Sequence, residues 1–146
     1  MTFFTRILSA VALSLILAGS ALADEKAHRL AIHVDQNDPA VMNLALNNAK
    51  NVQSYYDEKG ETVTIEIVAY GPGLKMYTAD SPVKDRISVM SMEHENLTFA
   101  ACGNTLAGME KKAGKKVELL SEATMVQSGV VRLMELQEQG YSYVRP

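Results

Sequence analysis

Strand-like and helix-like segments alternate along most of this 146-residue chain, and that alternation limits the fold more than any other feature. Runs rich in β-branched residues predict strands, and segments with apolar residues three and four apart predict helices. The predicted strands cover residues 29–35, 62–70, 97–102, 123–126 and 141–144. Strands separated by helices favour parallel pairing with right-handed crossovers. We therefore expect a three-layer α/β/α domain with a five-stranded parallel sheet.

Four helices are expected between the strands. The first begins at Asp38 and Pro39, a capping residue followed by a proline at the first helical position, and Gly60 ends it. The second is expected to begin in the same way at residues 81–82, and the third covers 103–114. The residues expected to face the core are Val41, Ala45, Ala49, Val52 and Tyr56 in the first helix, Val83, Ile87, Met90 and His94 in the second, and Val130, Leu133 and Met134 in the fourth, which ends at Gly140.

The first 23 residues have the pattern of a secretory signal peptide. Arg6 gives a basic start, residues 7–18 are apolar, and small residues lead to Ala23 just before Asp24. This order is typical of a cleavable leader, and the apolar run is shorter than the roughly 20 residues that span a bilayer. We expect cleavage near Ala23 and Asp24, a mature domain over residues 24–146 without a membrane anchor, and a periplasmic location.

The charge of the mature chain argues against nucleic acid and membranes as partners. Arg6 leaves with the leader, so the rest of the 14 Lys and Arg residues face 17 Asp and Glu residues, a net charge of −4. Such a chain does not attract phosphate polyanions. The loop after the first strand is acidic at Asp35 and Asp38, and the chain has no glycine-rich phosphate-binding motif. No nucleotide, flavin or other cofactor is expected.

Cys102 is the single cysteine, and it lies where the third predicted strand meets the third helix. One cysteine can form neither an intramolecular disulfide nor a C-x-x-C redox pair. The positive end of a helix dipole favours the thiolate, which makes Cys102 a candidate nucleophile. The same position also suits an unreactive packed cysteine, because cysteine is among the most buried residue types. Both interpretations remain open on residue types alone.

Ligands of open α/β sheets bind beyond the carboxyl ends of the strands, where helix N-termini present free N–H groups. His33, one residue from the end of the first strand, is titratable near neutral pH, and Asp35 is expected close by; a hydrogen-bonded core position is the alternative for His33. Asn104 and Thr105 can donate hydrogen bonds to the thiolate or to an anion. The candidate ligand-binding residues in these loops are His33, Asp35, Gly71, Gly73, Gly103, Asn104, Ser128 and Gly129.

Metal binding and serine hydrolysis are not indicated. Met90 and His94 share one helical face while Met92 points roughly opposite, so these copper-type ligands do not converge and core packing is favoured. A single cysteine leaves no structural zinc set. The G-x-S-x-G elbow of serine hydrolases with this architecture is also missing from the sequence.

Three segments together resemble the DsrE/DsrF-like family. They are YGPGL at 70–74, LTFAACGNTL at 97–106, and the stretch 127–146 with SGV and LQEQGYSYVRP. The likeness covers essentially the whole mature chain from residue 28. It implies a flavodoxin-like fold and assembly into trimers or hexamers. It also implies a cysteine after the third strand that carries sulfur as a persulfide between proteins, and Cys102 matches that position.

Two functional hypotheses follow. In the first, the protein is an exported sulfur carrier or sulfurtransferase-like protein. The Cys102 thiolate then takes sulfur from a donor protein or a small sulfur species. Asn104 and the Gly103 amide would steady the thiolate, and His33 would assist proton transfer. In the second, it is a non-catalytic module that binds a small ligand or a partner, and Cys102 is structural. The reactivity of the thiol separates the two hypotheses.

Overall fold

The structure is a computed structural model that describes residues 27–146. The expected leader and the cleavage point beside Asp24 lie outside these residues. The strands are β1 (His28–Val34), β2 (Val63–Ala69), β3 (Leu97–Cys102), β4 (Ala123–Val126) and β5 (Ser142–Val144). The α-helices are α1 (Pro39–Asp57), α2 (Lys84–Glu93), α3 (Gly103–Ala113) and α4 (Gly129–Glu138), and a 3₁₀ helix at Gly71–Tyr77 follows β2.

The five strands form one parallel sheet in the order β4-β3-β2-β1-β5. From β1 to β4 the chain advances in one direction, so right-handed crossovers place α1, α2 and α3 on the same face. The connection from β4 to β5 runs back past β1, which places α4 on the opposite face. The predicted three-layer α/β/α, flavodoxin-like fold is confirmed.

Two apolar cores lie on the two faces of the sheet because successive strand residues point to opposite sides. The larger core packs α1, α2 and α3 against residues such as Ile32, Ile67 and Phe99. The smaller core packs Leu133 and Leu136 of α4 against the sheet residues Ala31, Val68 and Ala100. Within residues 27–146, α4 is the one α-helix on this second face, and much of its outward-facing side is exposed to solvent.

A buried ion pair fixes α4 to the sheet. Glu66 projects from the middle of β2 and is only 7% exposed. Arg132 of α4 binds it in a bidentate manner, with Nε 2.6 Å from Oε1 and Nη2 2.7 Å from Oε2. Two parallel charge-assisted hydrogen bonds of this kind set both the distance and the rotation of the helix.

The predicted core face of α4 is wrong for two of its three residues. Val130 and Met134 are 52% and 56% exposed, whereas Leu133 is buried as predicted and is joined by Leu136. The apolar residues of α4 allow two helical stripes about a hundred degrees apart. The structure uses the stripe that brings Arg132 to Glu66, and the other stripe remains outside.

The other element predictions are confirmed with local differences. The limits of β3 and β4 are as predicted, and Gly114 ends α3 with φ +67°. The buried stripe of α1 includes Met42 and Leu46, which the predicted stripe left out. The proline at 82 does not open α2, which begins at residue 84. Ser81 accepts a hydrogen bond from the Val83 amide in the turn ahead of the helix. Residues 71–73, expected as a turn, begin the 3₁₀ helix.

No helix within the described range combines the length and apolar character needed to cross a membrane.

Candidate functional site

A crevice opens between β3 and β4 at the carboxyl edge of the sheet. The chain leaves β3 for α3 on one face, but it leaves the neighbouring β4 for α4 on the opposite face. Ligand sites of open α/β sheets lie where adjacent connections diverge in this way. Cys102 is the last residue of β3 and pairs in register with Val126 of β4. The thiol therefore lies where the two connections diverge, between the N-termini of two helices.

Backbone amides surround the sulfur of Cys102. The side chain is buried, with 4% of the residue exposed, and Sγ accepts a hydrogen bond from the Thr105 amide at 3.5 Å. The cysteine thus caps α3 with its own sulfur. A Cβ at Gly103 would lie 3.1 Å from the Val126 carbonyl oxygen, so the start of α3 packs closely against the end of β4. The Asn104 amide donates to the carbonyl oxygen of Gln127 at 3.2 Å and joins the two loops.

The surroundings of Cys102 favour its thiolate. Burial raises the pKa of the thiol, but hydrogen bonding from the Thr105 side chain and from the amides of Gly129, Thr105 and Asn104 outweighs burial. The pKa of Cys102 consequently lies below its ordinary value. Donors that point at a sulfur stabilise its negative charge and leave a larger thiolate fraction at neutral pH.

The loop after β2 orients the Thr105 hydroxyl. The Gly71 amide donates a hydrogen bond to Thr105 Oγ1 at 2.9 Å. A hydroxyl that accepts this bond has its own proton free for another acceptor, and the Thr105 side chain is one cause of the lowered pKa of Cys102. Gly71 has φ +56°, a left-handed conformation that favours glycine at this position.

Tyr70 packs against the start of α4. A Cβ at Gly129 would lie 2.8 Å from both Cβ and Cδ1 of Tyr70, so only glycine leaves room for this side chain. The Tyr70 ring also stacks on the His33 imidazole, with centroids 4.6 Å apart and planes at 22°. Burial raises the pKa of Tyr70, and the negative charge of Asp35 adds to this effect. The phenol therefore stays protonated.

His33 is a buried and neutral residue behind Tyr70. It is 5% exposed, and its Nδ1 lies 2.7 Å from the Tyr143 hydroxyl. Its Nε2 is buried and has no hydrogen-bond partner within residues 27–146. Burial lowers the pKa of His33 below its ordinary value, although the Asp35 carboxylate opposes the shift. The carboxylate of Asp35 forms an ion pair with Arg145, with Oδ2 2.8 Å from Nη2.

The remaining predicted residues divide between the crevice and the core. Asn104 and Ser128 line a cleft of about 480 Å³ together with Arg132, and Ser128 begins α4 without a capping bond from its side chain. Gly73 lies elsewhere, because a Cβ there would be 2.3 Å from the Val34 carbonyl oxygen. Gly73 allows the 3₁₀ helix to pack against the end of β1.

Three residues near the site, Tyr70, Tyr143 and Arg145, are not among the candidate ligand-binding residues predicted from the sequence. Tyr70 ends the strand ahead of the Gly71 loop, and an aromatic residue beside a glycine-rich loop was the available signal. Tyr143 and Arg145 belong to the last strand and its extension. Their position depends on β5 pairing with β1, and strand order is not encoded in local periodicity.

The methionine-rich segment of α2 does not converge on a metal. Met90 is buried in the core, Met92 is 75% exposed, and His94 caps the end of the helix. In the described part of the chain, no group of three or more His, Cys, Asp or Glu side chains is placed to hold a metal ion.

The chain is similar to a solved structure described as a protein of unknown function, MTH1491 from Methanobacterium thermoautotrophicum. The two share 30% sequence identity with a TM-score of 0.69, over 82% of this chain and 99% of the other. Neither a protein-family model nor a curated protein sequence matches the chain.

Proposed function

The chain belongs to the same family as the Methanobacterium protein MTH1491, whose function is unknown, and from its own site we propose that it traffics sulfur on Cys102. The thiol accepts a sulfane sulfur, holds it as a persulfide and passes it to an acceptor. The observation that supports this proposal is the sulfur of Cys102 at the N-termini of both α3 and α4, with a lowered pKa. The resemblance of residues 97–106 to the DsrE/DsrF-like pattern points to the same chemistry.

Thiolate stabilisation serves both halves of a sulfur transfer. With thiosulfate as donor, Sγ of Cys102 attacks the outer sulfur and forms a new S–S bond. The S–S bond of thiosulfate breaks, and sulfite leaves with the bonding electron pair. In the second half an acceptor thiolate attacks the outer sulfur of the persulfide, and Cys102 leaves as a thiolate. A thiol with a lowered pKa is more often ionised in the first half and leaves faster in the second.

His33 does not serve as the ionic partner of Cys102 in this proposal. Its Nδ1 is bound to Tyr143, its ring is covered by Tyr70, and its lowered pKa keeps it neutral. The thiolate is steadied by amides and by the Thr105 hydroxyl instead of an imidazolium. This arrangement differs from a cysteine–histidine pair, in which the histidine carries the compensating charge.

The test is the mass of the folded protein after incubation with thiosulfate or polysulfide. We expect the reduced mature protein to gain one sulfur atom, to lose it again with cyanide or dithiothreitol, and to gain none as Cys102→Ser. The same protein unfolded in urea provides the matched control for an ordinary thiol, and the folded state should react faster at neutral pH. If Cys102 of the folded protein neither alkylates nor gains sulfur, the sulfur-trafficking proposal is rejected. The hypothesis of a binding module with a structural cysteine then remains.

We also propose that the protein acts in the periplasm and as a homo-oligomer. The pattern of residues 1–23 supports export, and N-terminal sequencing of the protein from a native host should read Asp24 first. The exposed residues Val130 and Met134 on α4 support association, because apolar side chains are commonly buried between subunits. The family resemblance favours a trimer or hexamer.

A further inference from the structure

Two adjacent residues, Tyr70 and Gly71, contact both of the helix N-termini that surround Cys102. The Tyr70 side chain packs on the backbone of Gly129, the first residue of α4. The Gly71 amide binds the side chain of Thr105, in the first turn of α3. We infer that this dipeptide sets the donors around the sulfur and that Tyr70 is a positioning residue for the thiol chemistry of Cys102, an inference that rests on the proposed function.

The packing of Tyr70 leaves α4 little freedom at its N-terminus. A Cβ added at Gly129 would be 2.8 Å from two carbon atoms of the Tyr70 side chain and 3.1 Å from a third. Real Cβ atoms essentially never come within 3.0 Å of such a neighbour, so the backbone of Gly129 lies directly on the tyrosine. A smaller residue at position 70 would therefore leave a gap under the start of α4, and the amide of Gly129 could move away from Cys102.

The Tyr70 ring has a second contact, with the imidazole of His33. The two rings are stacked, and the Tyr143 hydroxyl holds the imidazole through Nδ1 at 2.7 Å. The buried Nε2 of His33 has no hydrogen-bond partner in the described chain. Tyr70 thus contacts both a hydrogen-bonded imidazole and the α4 backbone, and these two contacts fix its ring.

The positioning role requires the ring of Tyr70 and not its hydroxyl. Tyr70→Phe keeps the contacts with Gly129 and His33, so the reactivity of Cys102 should be unchanged. Tyr70→Leu removes the ring, and Gly129→Ala places a methyl group where the ring lies. Both changes should move the α4 amide away from the sulfur and raise the apparent pKa of Cys102.

The experiment measures the pH dependence of iodoacetamide alkylation of Cys102 in the mature protein, with circular dichroism to show that each variant folds. We expect alkylation below the thiol pKa to slow by about tenfold in Tyr70→Leu and in Gly129→Ala, and to remain within twofold of wild type in Tyr70→Phe. Tyr141→Leu, a loss of another tyrosine that packs against the α4 core, is the control for general loosening.

Two results would overturn the inference. One is a folded Tyr70→Leu or Gly129→Ala protein that keeps the wild-type alkylation profile. The other is a Tyr70→Phe protein that slows as much as Tyr70→Leu, which would assign the effect to the hydroxyl.

The sulfur-loading assay keeps this test separate from the proposed function. If the wild-type protein gains sulfur while Tyr70→Leu keeps the wild-type alkylation profile, the proposed function stands and the positioning role of Tyr70 is rejected. A wild-type protein that gains no sulfur loses the function whatever the alkylation profiles show.

Discussion

The amide of Gly71 donates a hydrogen bond to the hydroxyl oxygen of Thr105 at 2.9 Å, across the ends of two neighbouring strands. The hydroxyl that accepts this bond keeps its own proton free for another acceptor. The Thr105 amide donates to the sulfur of Cys102 at 3.5 Å, and the Thr105 side chain also lowers the pKa of the thiol. The acidity of the thiol therefore depends on Thr105 of α3, whose side chain is oriented by the loop after β2.

Replacing Thr105 by valine removes the hydroxyl and keeps the shape of the side chain. The Cys102 thiolate then loses a donor, its pKa rises, and alkylation below that pKa should slow by about tenfold. Thr105→Ser retains the hydroxyl and serves as the matched control, with a rate close to wild type. The rate is measured with iodoacetamide from pH 5 to 10. Equal rates in the valine and serine variants would show that the hydroxyl does not contribute.

Removing one partner of the ion pair between Glu66 and Arg132 should destabilise the protein more than removing both. Arg132→Met leaves a buried carboxylate without its partner, and the free energy of unfolding should fall by roughly 3 kcal/mol, the lower end for breaking a buried pair. The double variant Glu66→Leu with Arg132→Met removes both charges and should recover most of that loss. Urea denaturation measures both. A single variant as stable as wild type would contradict the assigned role of this pair in holding α4.

The stability of the protein should fall with acidification through the titration of His33. Its folded-state pKa is lowered, so the unfolded chain binds a proton more readily than the folded one. The stabilising contribution is therefore present above the ordinary histidine pKa of about 6.5 and is lost as pH falls below that value toward the folded pKa. His33→Gln, which cannot titrate, should show a flatter stability profile between pH 7 and 5. Parallel urea curves at each pH provide the comparison.

Two glycines should respond oppositely to alanine. A Cβ at Gly73 would be 2.3 Å from a backbone oxygen of β1, whereas a Cβ at Gly108, inside α3, meets nothing within 4 Å. Gly73→Ala should lower the free energy of unfolding by about 1–3 kcal/mol through overpacking. Gly108→Ala should raise it by about 0.5–1 kcal/mol, since alanine favours the helix. Thermal denaturation of the two variants tests the pair, and a stabilised Gly73→Ala would refute the close packing.

The proposed oligomer should depend on the exposed stripe of α4. Met134→Lys and Val130→Lys add charges to this stripe without touching the core, so they should lower the mass measured by light scattering at micromolar concentration. Val89→Lys, on the exposed side of α2 with a similar exposure of 47%, is the matched control. A wild-type protein that is a monomer under these conditions would reject the proposed assembly.

Local sequence patterns predicted the helices and strands of this fold well, but they predicted less well which residues pack against one another. The buried strand ending at Cys102 was recognised because its apolar run and the following glycine are both local signals. The buried face of α4 was not, since the choice between its two apolar stripes is made by Arg132 reaching Glu66, 66 residues away. Spacing within one helix contains no information about such a partner.

The candidate site shows the same division. Gly129 was selected as a loop residue near a helix start, but its packing against Tyr70 depends on two strands meeting at one edge. Asp35 and His33 are expected close together, and the Asp35 carboxylate does act on the pKa of His33. Each also has a partner that the sequence did not indicate, Arg145 for Asp35 and Tyr143 for His33. The position of β5 beside β1 decides both contacts, and it follows from the crossover of α4.

That strand order also has a kinetic consequence. His33 and Tyr143 are 110 residues apart, and β1 cannot acquire its outer neighbour until the final strand has been synthesised. Contacts of such long sequence separation form late because closing the intervening loop is entropically costly. Strands β1 to β4 can pair in order before β5 joins the sheet. The contact of Tyr143 with His33, beside Tyr70, forms only when β5 pairs with β1.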